Sequence, residues 1–161
     1  MTTTKHTAHW TLQALAQAGV KTIVFSPGSR NAPLVIAAEA LGSFTLEVLG
    51  DERSAAFNAL GRSLVTGAPV AVCCTSGSAL ANYYPAVLEA YYAHIPLIVL
   101  SADRPEERIN KGEGQTCVQR DIYEPHVAAS VHIEDDASAS EVVSQLDFAL
   151  RAQHVEMRPI H

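Results

Sequence analysis

Four short segments of this 161-residue chain combine turn-forming residues with groups that can bind anions or move protons. In residues 26–30, Ser-Pro-Gly-Ser-Arg, the small residues let the backbone turn sharply. The Ser29 hydroxyl can donate there, and Arg30 presents a planar fork suited to a carboxylate, unless serine simply caps a helix and the arginine is solvated. Asp51-Glu52-Arg53 opens a helical pattern. A first-turn acid complements the helix dipole, and the same position suits a carboxyl that transfers protons. Thr75-Ser76-Gly77-Ser78 follows an apolar run and leads into a helix containing Asn82, so it reads as a cap or as a turn facing a ligand. Asp103-Arg104-Pro105 leads into a stretch bearing Arg108, Lys111, Gln115 and Arg120. Its cationic and amide groups can clamp a polyanion or lie solvated on a surface loop.

The elements that would position these groups follow a repeating pattern. Trp10, Leu12, Leu15 and Ala16 are near helical spacing within residues 4–18, and Gly19 supplies a stop. Strands are expected at residues 21–25, 45–49, 69–75 and 96–101, and helices at 31–41, 51–66 and 78–93. The 51–66 helix is expected to bury Ala56, Leu60 and Leu64, with Phe57 at the flank. The strands are short continuous apolar runs, which implies cover on both faces. Strand and helix alternate as in parallel βαβ units with right-handed crossovers. The expected fold is α/β, a doubly wound, mainly parallel sheet with helices on both faces. Residues 102–128 break the periodicity, as a functional or mobile loop would, and disorder without ligand is expected between about 106 and 120. A strand near 130–133 and a helix near 138–153, capped by Ser138 or Ser140, come next. Residues 155–161 read like the opening of a further strand. In such a sheet, ligands gather where strands end and helices begin, and all four segments fall there.

Composition narrows the classes of function. Hydrophobic residues make up 48% and charged residues 17%, which excludes disorder and collagen-like repeats. Eleven Lys and Arg against seventeen Asp and Glu give a net charge of -6, which argues against nucleic-acid or anionic-membrane partners. Cys73, Cys74 and Cys117 fit neither a disulfide framework nor paired metal ligands, and read as reduced thiols of a cytoplasmic protein. The seven histidines lack metal-ligand spacing, and dinucleotide, Walker and GxSxG signatures are missing, so no metal-binding residue is named.

Taken in order, the segments Phe25-Ser-Pro-Gly-Ser-Arg-Asn-Ala-Pro-Leu34, Asp51-Glu-Arg-Ser-Ala-Ala-Phe57, Thr75-Ser-Gly-Ser-Ala-Leu-Ala-Asn82, Ser101-Ala-Asp-Arg-Pro105 and Gly114-Gln115-Thr116 resemble one family. It is the 2-succinyl-5-enolpyruvyl-6-hydroxy-3-cyclohexene-1-carboxylate synthase family, within the thiamine-diphosphate-dependent superfamily. The resemblance spans nearly the whole chain. It implies that residues 1–161 form a single pyrimidine-binding domain cut within its last strand, with the central and diphosphate-binding domains absent.

The resemblance also implies roles. Glu52 is the catalytic carboxyl, hydrogen-bonded to N1′ of the cofactor's aminopyrimidine, with Ser76, Gly77 and Asn82 beside that ring. Ser29, Arg30, Arg104 and Gln115 bind carboxylate-rich substrates, 2-oxoglutarate and isochorismate. Gly114 stands where the family commonly has Asn. Thiamine diphosphate and Mg²⁺ are the implied cofactors, with diphosphate and metal held by the absent domain, and the complete enzyme is implied to be a homo-oligomer of menaquinone biosynthesis. The fragment alone is expected to be inactive. Rival readings are an acetolactate-synthase-like or oxalyl-CoA-decarboxylase-like domain, and a non-catalytic module that binds small carboxylates.

Overall fold

The computed structural model describes residues 5–161. Elements follow in the order α1 (His6–Gln17), β1 (Thr22–Phe25), α2 (Ala32–Leu41), β2 (Thr45–Val48), α3 (Glu52–Thr66), β3 (Val70–Cys74), α4 (Ser78–Tyr92), β4 (Leu97–Ser101), a 3-10 turn (Glu106–Arg108) and α5 (Ala139–Glu156). The four-stranded sheet is parallel throughout, in the order β2-β1-β3-β4. The doubly wound α/β fold expected from the alternating pattern is the fold observed. Residue 4, expected to begin the first helix, lies outside the described residues.

Both faces of the sheet are covered, and strand alternation divides the core into two layers. Val24, Val70, Val72, Cys74, Leu97 and Val99 pack with Ala55, Ala59, Leu80 and Tyr83 of α3 and α4. Ile23, Phe25, Ala71, Cys73 and Ile98 face the other way, toward Leu12, Leu15, Ala37 and Ala149 of α1, α2 and α5. Neighbouring Cys73 and Cys74 therefore belong to different layers. The αβ turns lie at the opposite rim from the strand tips; Gly67 ends α3 there at φ +67°, its amide donating to Ser63 O at 2.8 Å.

Three details differ from the sequence reading. Leu64 is 64% exposed, whereas Ala55, Ala56, Ala59 and Ser63 are buried. The buried stripe of α3 is narrow and made of small residues that let it approach α4 closely, so Leu64 is turned to solvent. At residues 130–133 there is no regular strand. Pairing shrinks to parallel bridges between Ile98 and Ile160 and between Ala129 and Ile160. Val99 N donates to Ile160 O (2.9 Å) and Ile160 N to Leu97 O (3.0 Å), so this short segment covers the β4 edge. Ser138 caps α5 in a reciprocal capping box with Glu141, and the helix runs on to Glu156, so the strand opening expected at 155–161 is helical at its first two residues and pairs at Ile160.

Candidate functional site at the strand tips

The C-terminal ends of β1, β2, β3 and β4 share one rim, because Phe25 is level with Val48 and Cys73, and Cys74 with Ser101. After β1, the turn is fixed from inside. Asn31 does not cap α2. Its Nδ2 donates to Ser26 O at 2.9 Å, leaving Oδ1 buried without a partner. Tyr83, buried in α4, donates its hydroxyl to Ser26 Oγ at 2.9 Å, and burial raises the phenol's pKa well above its ordinary value. Ser29 and Arg30 are exposed, with Arg30 Nη1 donating to Ser29 Oγ at 2.9 Å. Serine capping, the simpler sequence reading, does not occur at this turn.

After β2, Asp51 caps α3 by accepting from Ser54 N at 2.8 Å. Hydrogen bonds from Ser54, hydroxyl and then amide, hold its carboxyl below the usual range. Capping thus falls to Asp51 and leaves Glu52, the first residue of α3, half-buried at the rim with no hydrogen bond or ion pair among the described residues.

After β3, the backbone comes very close to the long loop. Gly77 has φ +84° and ψ -142°, and a methyl group built there would meet Gln115 Cα at 2.8 Å. Ser76 Oγ donates to Gln115 O at 2.8 Å. Gln115 itself is left-handed at φ +58°, while Gly114 has ordinary φ, so the unusual backbone conformation falls on the glutamine. Gly28 packs against Thr75, whose Oγ1 accepts from Arg30 N at 3.4 Å. Asn82, exposed on α4, makes no side-chain hydrogen bond among the described residues.

After β4, Arg104 turns back beneath the loop. It donates through Nη2 to the Glu113 carboxylate and through Nη1 to Gly114 O at 3.1 Å. Residues 28–30, 75–77, 104 and 114–115 are thereby joined through direct contacts; Glu52 stands at the same rim with no hydrogen bond or ion pair to them among the described residues.

Sequence reasoning missed two residues of this assembly. Gln119, 2% exposed, accepts from Gly77 N (2.7 Å) and donates to Ala102 O (3.0 Å), tying the β3–α4 turn to the end of β4. Tyr123 is fully buried beneath α4 and donates to Leu80 O. Both lie where periodicity fails, and an amide or aromatic ring recurring in an otherwise polar loop is their one sequence signal.

A family model described as "Thiamine pyrophosphate enzyme, N-terminal TPP binding domain" matches residues 5–124, which include every candidate residue above. The chain belongs to this family. Curated relatives named 2-succinyl-5-enolpyruvyl-6-hydroxy-3-cyclohexene-1-carboxylate synthase include one from Flavobacterium johnsoniae, 46% identical over 89% of this chain and 26% of its own length. Another, from Cytophaga hutchinsonii, is 56% identical over 73% of this chain and 21% of its own. A third, from Shewanella frigidimarina, is 41% identical over 93% of this chain and 26% of its own. The chain spans about a quarter of the length of the curated relatives it matches. Among the described residues, no helix is long and apolar enough to cross a membrane.

Proposed function

We propose that this chain forms the pyrimidine-binding part of a thiamine-diphosphate-dependent 2-succinyl-5-enolpyruvyl-6-hydroxy-3-cyclohexene-1-carboxylate synthase, which removes carbon dioxide from 2-oxoglutarate and adds the remainder to isochorismate. The names of the relatives support the reaction. The placement of Glu52 carries the reading: a carboxyl with no internal partner stands at the first turn of α3, on the rim where the sheet's ligand-facing turns gather.

The residues present fit the pyrimidine half of the cofactor. A flat, weakly basic ring needs a carboxyl to meet its nitrogen and polar groups beside it; half-buried Glu52 has no internal partner among the described residues, and the Ser76–Gly77 turn, packed on Gln115, lies at the same rim. Thiamine diphosphate, when bound, supplies the electron sink for loss of carbon dioxide and carbon–carbon bond formation. Glu52 holds a proton against pyrimidine N1′. Ser76, Gly77 and Asn82 border the ring. Arg30 with Ser29, and Arg104 with Gln115, orient substrate carboxylates and oxygens. The diphosphate and its Mg²⁺ are held elsewhere in the enzyme, which acts as a homo-oligomer.

The test is Glu52→Gln in the full-length enzyme. Product formation from 2-oxoglutarate and isochorismate is expected to fall about 10²- to 10⁴-fold, the span usual for loss of a proton-transfer group, with the fold intact. Unchanged activity would remove Glu52 from the mechanism. The 161-residue chain alone is expected to show no turnover and weak or no cofactor binding; stoichiometric, micromolar calorimetric binding of thiamine diphosphate with Mg²⁺ contradicts this.

A further inference from the structure

Arg104 is a cation nearly out of water, its side chain 10% exposed. Its charge is balanced by Glu113, whose carboxylate also accepts from Arg108 Nη1 at 3.0 and 3.1 Å. One carboxylate thus bridges two guanidinium groups and leaves a surplus positive charge between them.

The segment carrying Glu113 is built to be held there and to be released. Thr116 Oγ1 donates to Glu113 O at 2.7 Å, and Ser76 Oγ pins the next residue but one, Gln115, to the rim. On the other side Gly112 has φ +78°, and a methyl group built there or at Gly114 would meet no atom within 4 Å, so the glycines flanking Glu113 are not wedged by neighbouring side chains. The Arg108 pair is exposed enough to contribute little by itself. The Arg104 pair is different, because withdrawing Glu113 would leave a mostly buried guanidinium unpaired. Opening is therefore costly unless another anion takes the place of Glu113.

We propose that Arg104 and Arg108 form a two-guanidinium carboxylate site whose resident occupant in the free chain is Glu113, and that a substrate carboxylate enters by displacing it. The inference rests on the reading of Arg104 as a substrate-binding residue and adds Arg108 as a second arm and Glu113 as an internal competitor. If Glu113 fills the site for 90–99% of the time, apparent affinity for an external carboxylate is lowered about 10- to 100-fold.

Succinate is the probe, titrated into the 161-residue chain at constant ionic strength while the arginine Nε–H resonances are followed by NMR. Glu113→Gln is expected to tighten succinate binding about 10- to 100-fold, and adding Arg108→Gln to that variant is expected to remove most of the gain. A merely structural role for Glu113 would loosen the loop without raising affinity. Unchanged affinity in Glu113→Gln, with Arg104→Gln still weakening binding, overturns the displacement and leaves the Arg104 reading standing. Affinity in the Arg104→Gln, Glu113→Gln double variant equal to that of Glu113→Gln alone overturns both. Amide dispersion verifies folding. Should Glu113→Gln not fold, Glu113→Asp, which withdraws the carboxylate by one methylene, is expected to show a smaller tightening, and none overturns the proposal.

Discussion

Gly77 joins backbone conformation to loop packing at a single atom. A side chain there would be strained by the positive φ and would collide with Gln115, so Gly77→Ala is expected to cost about 1–3 kcal/mol in urea denaturation. A cost below that range would mean that the 114–115 loop moves aside freely. Acid sensitivity also originates at single residues. Hydrogen bonds from Ser54 hold Asp51 below the usual carboxylate range, and those from Ser138 do the same for Glu141. A depressed folded value contributes stability above the unfolded pKa, near 4, and that contribution is lost as pH falls through the folded value. The thermal midpoint should fall as pH drops below about 4, and Asp51→Asn should flatten the fall. Equal slopes would refute the assignment. The positions of Glu52, Arg30 and Ser76 at the strand-tip rim were legible in the sequence because each follows an apolar run at a turn. Gln119 was not, because its partners are backbone groups distant in the chain and no local pattern encodes them.

Helices and strands reveal a different kind of limit. The type of every long element could be read from apolar spacing, yet the buried face of α3 could not, since hydrophobicity favours Leu64 while close approach to α4 favours Ala and Ser. The capping box of α5 was legible in part, through Ser138. Removing it by Ser138→Ala is expected to cost about 1 kcal/mol, seen as a fall of about 2–4 °C in thermal midpoint. At the β4 edge, the expected strand at 130–133 gives way to pairing centred on Ile160, which lies within the 155–161 stretch that reads as the opening of a strand. Ile160 is buried against β4, so Ile160→Ala should cost about 2–4 kcal/mol in the same denaturation experiment. A loss near zero would show that this edge contributes no core packing.

For the whole molecule, alternating strands and helices specify a parallel, doubly covered sheet, but the order β2-β1-β3-β4 depends on which side each crossover takes, information that no single segment contains. The two-layer core that results makes a chemical prediction. Burial pushes the Cys73 thiol up to about 12 and raises that of Cys74 as well, whereas Cys117 is less enclosed. A thiol reagent at pH 8 is therefore expected to modify Cys117 first and the other two upon unfolding; prompt modification of all three in the native chain would contradict the burial. The division of rims has a practical consequence too. The Gly67 connection sits at the far end of the sheet from every candidate ligand-binding group, and a methyl group built on Gly67 would meet no atom within 4 Å. A fluorescent protein or affinity peptide spliced there would be carried on the scaffold's inert pole, and the order of assembly with a larger partner could be watched without trespassing on the chemistry.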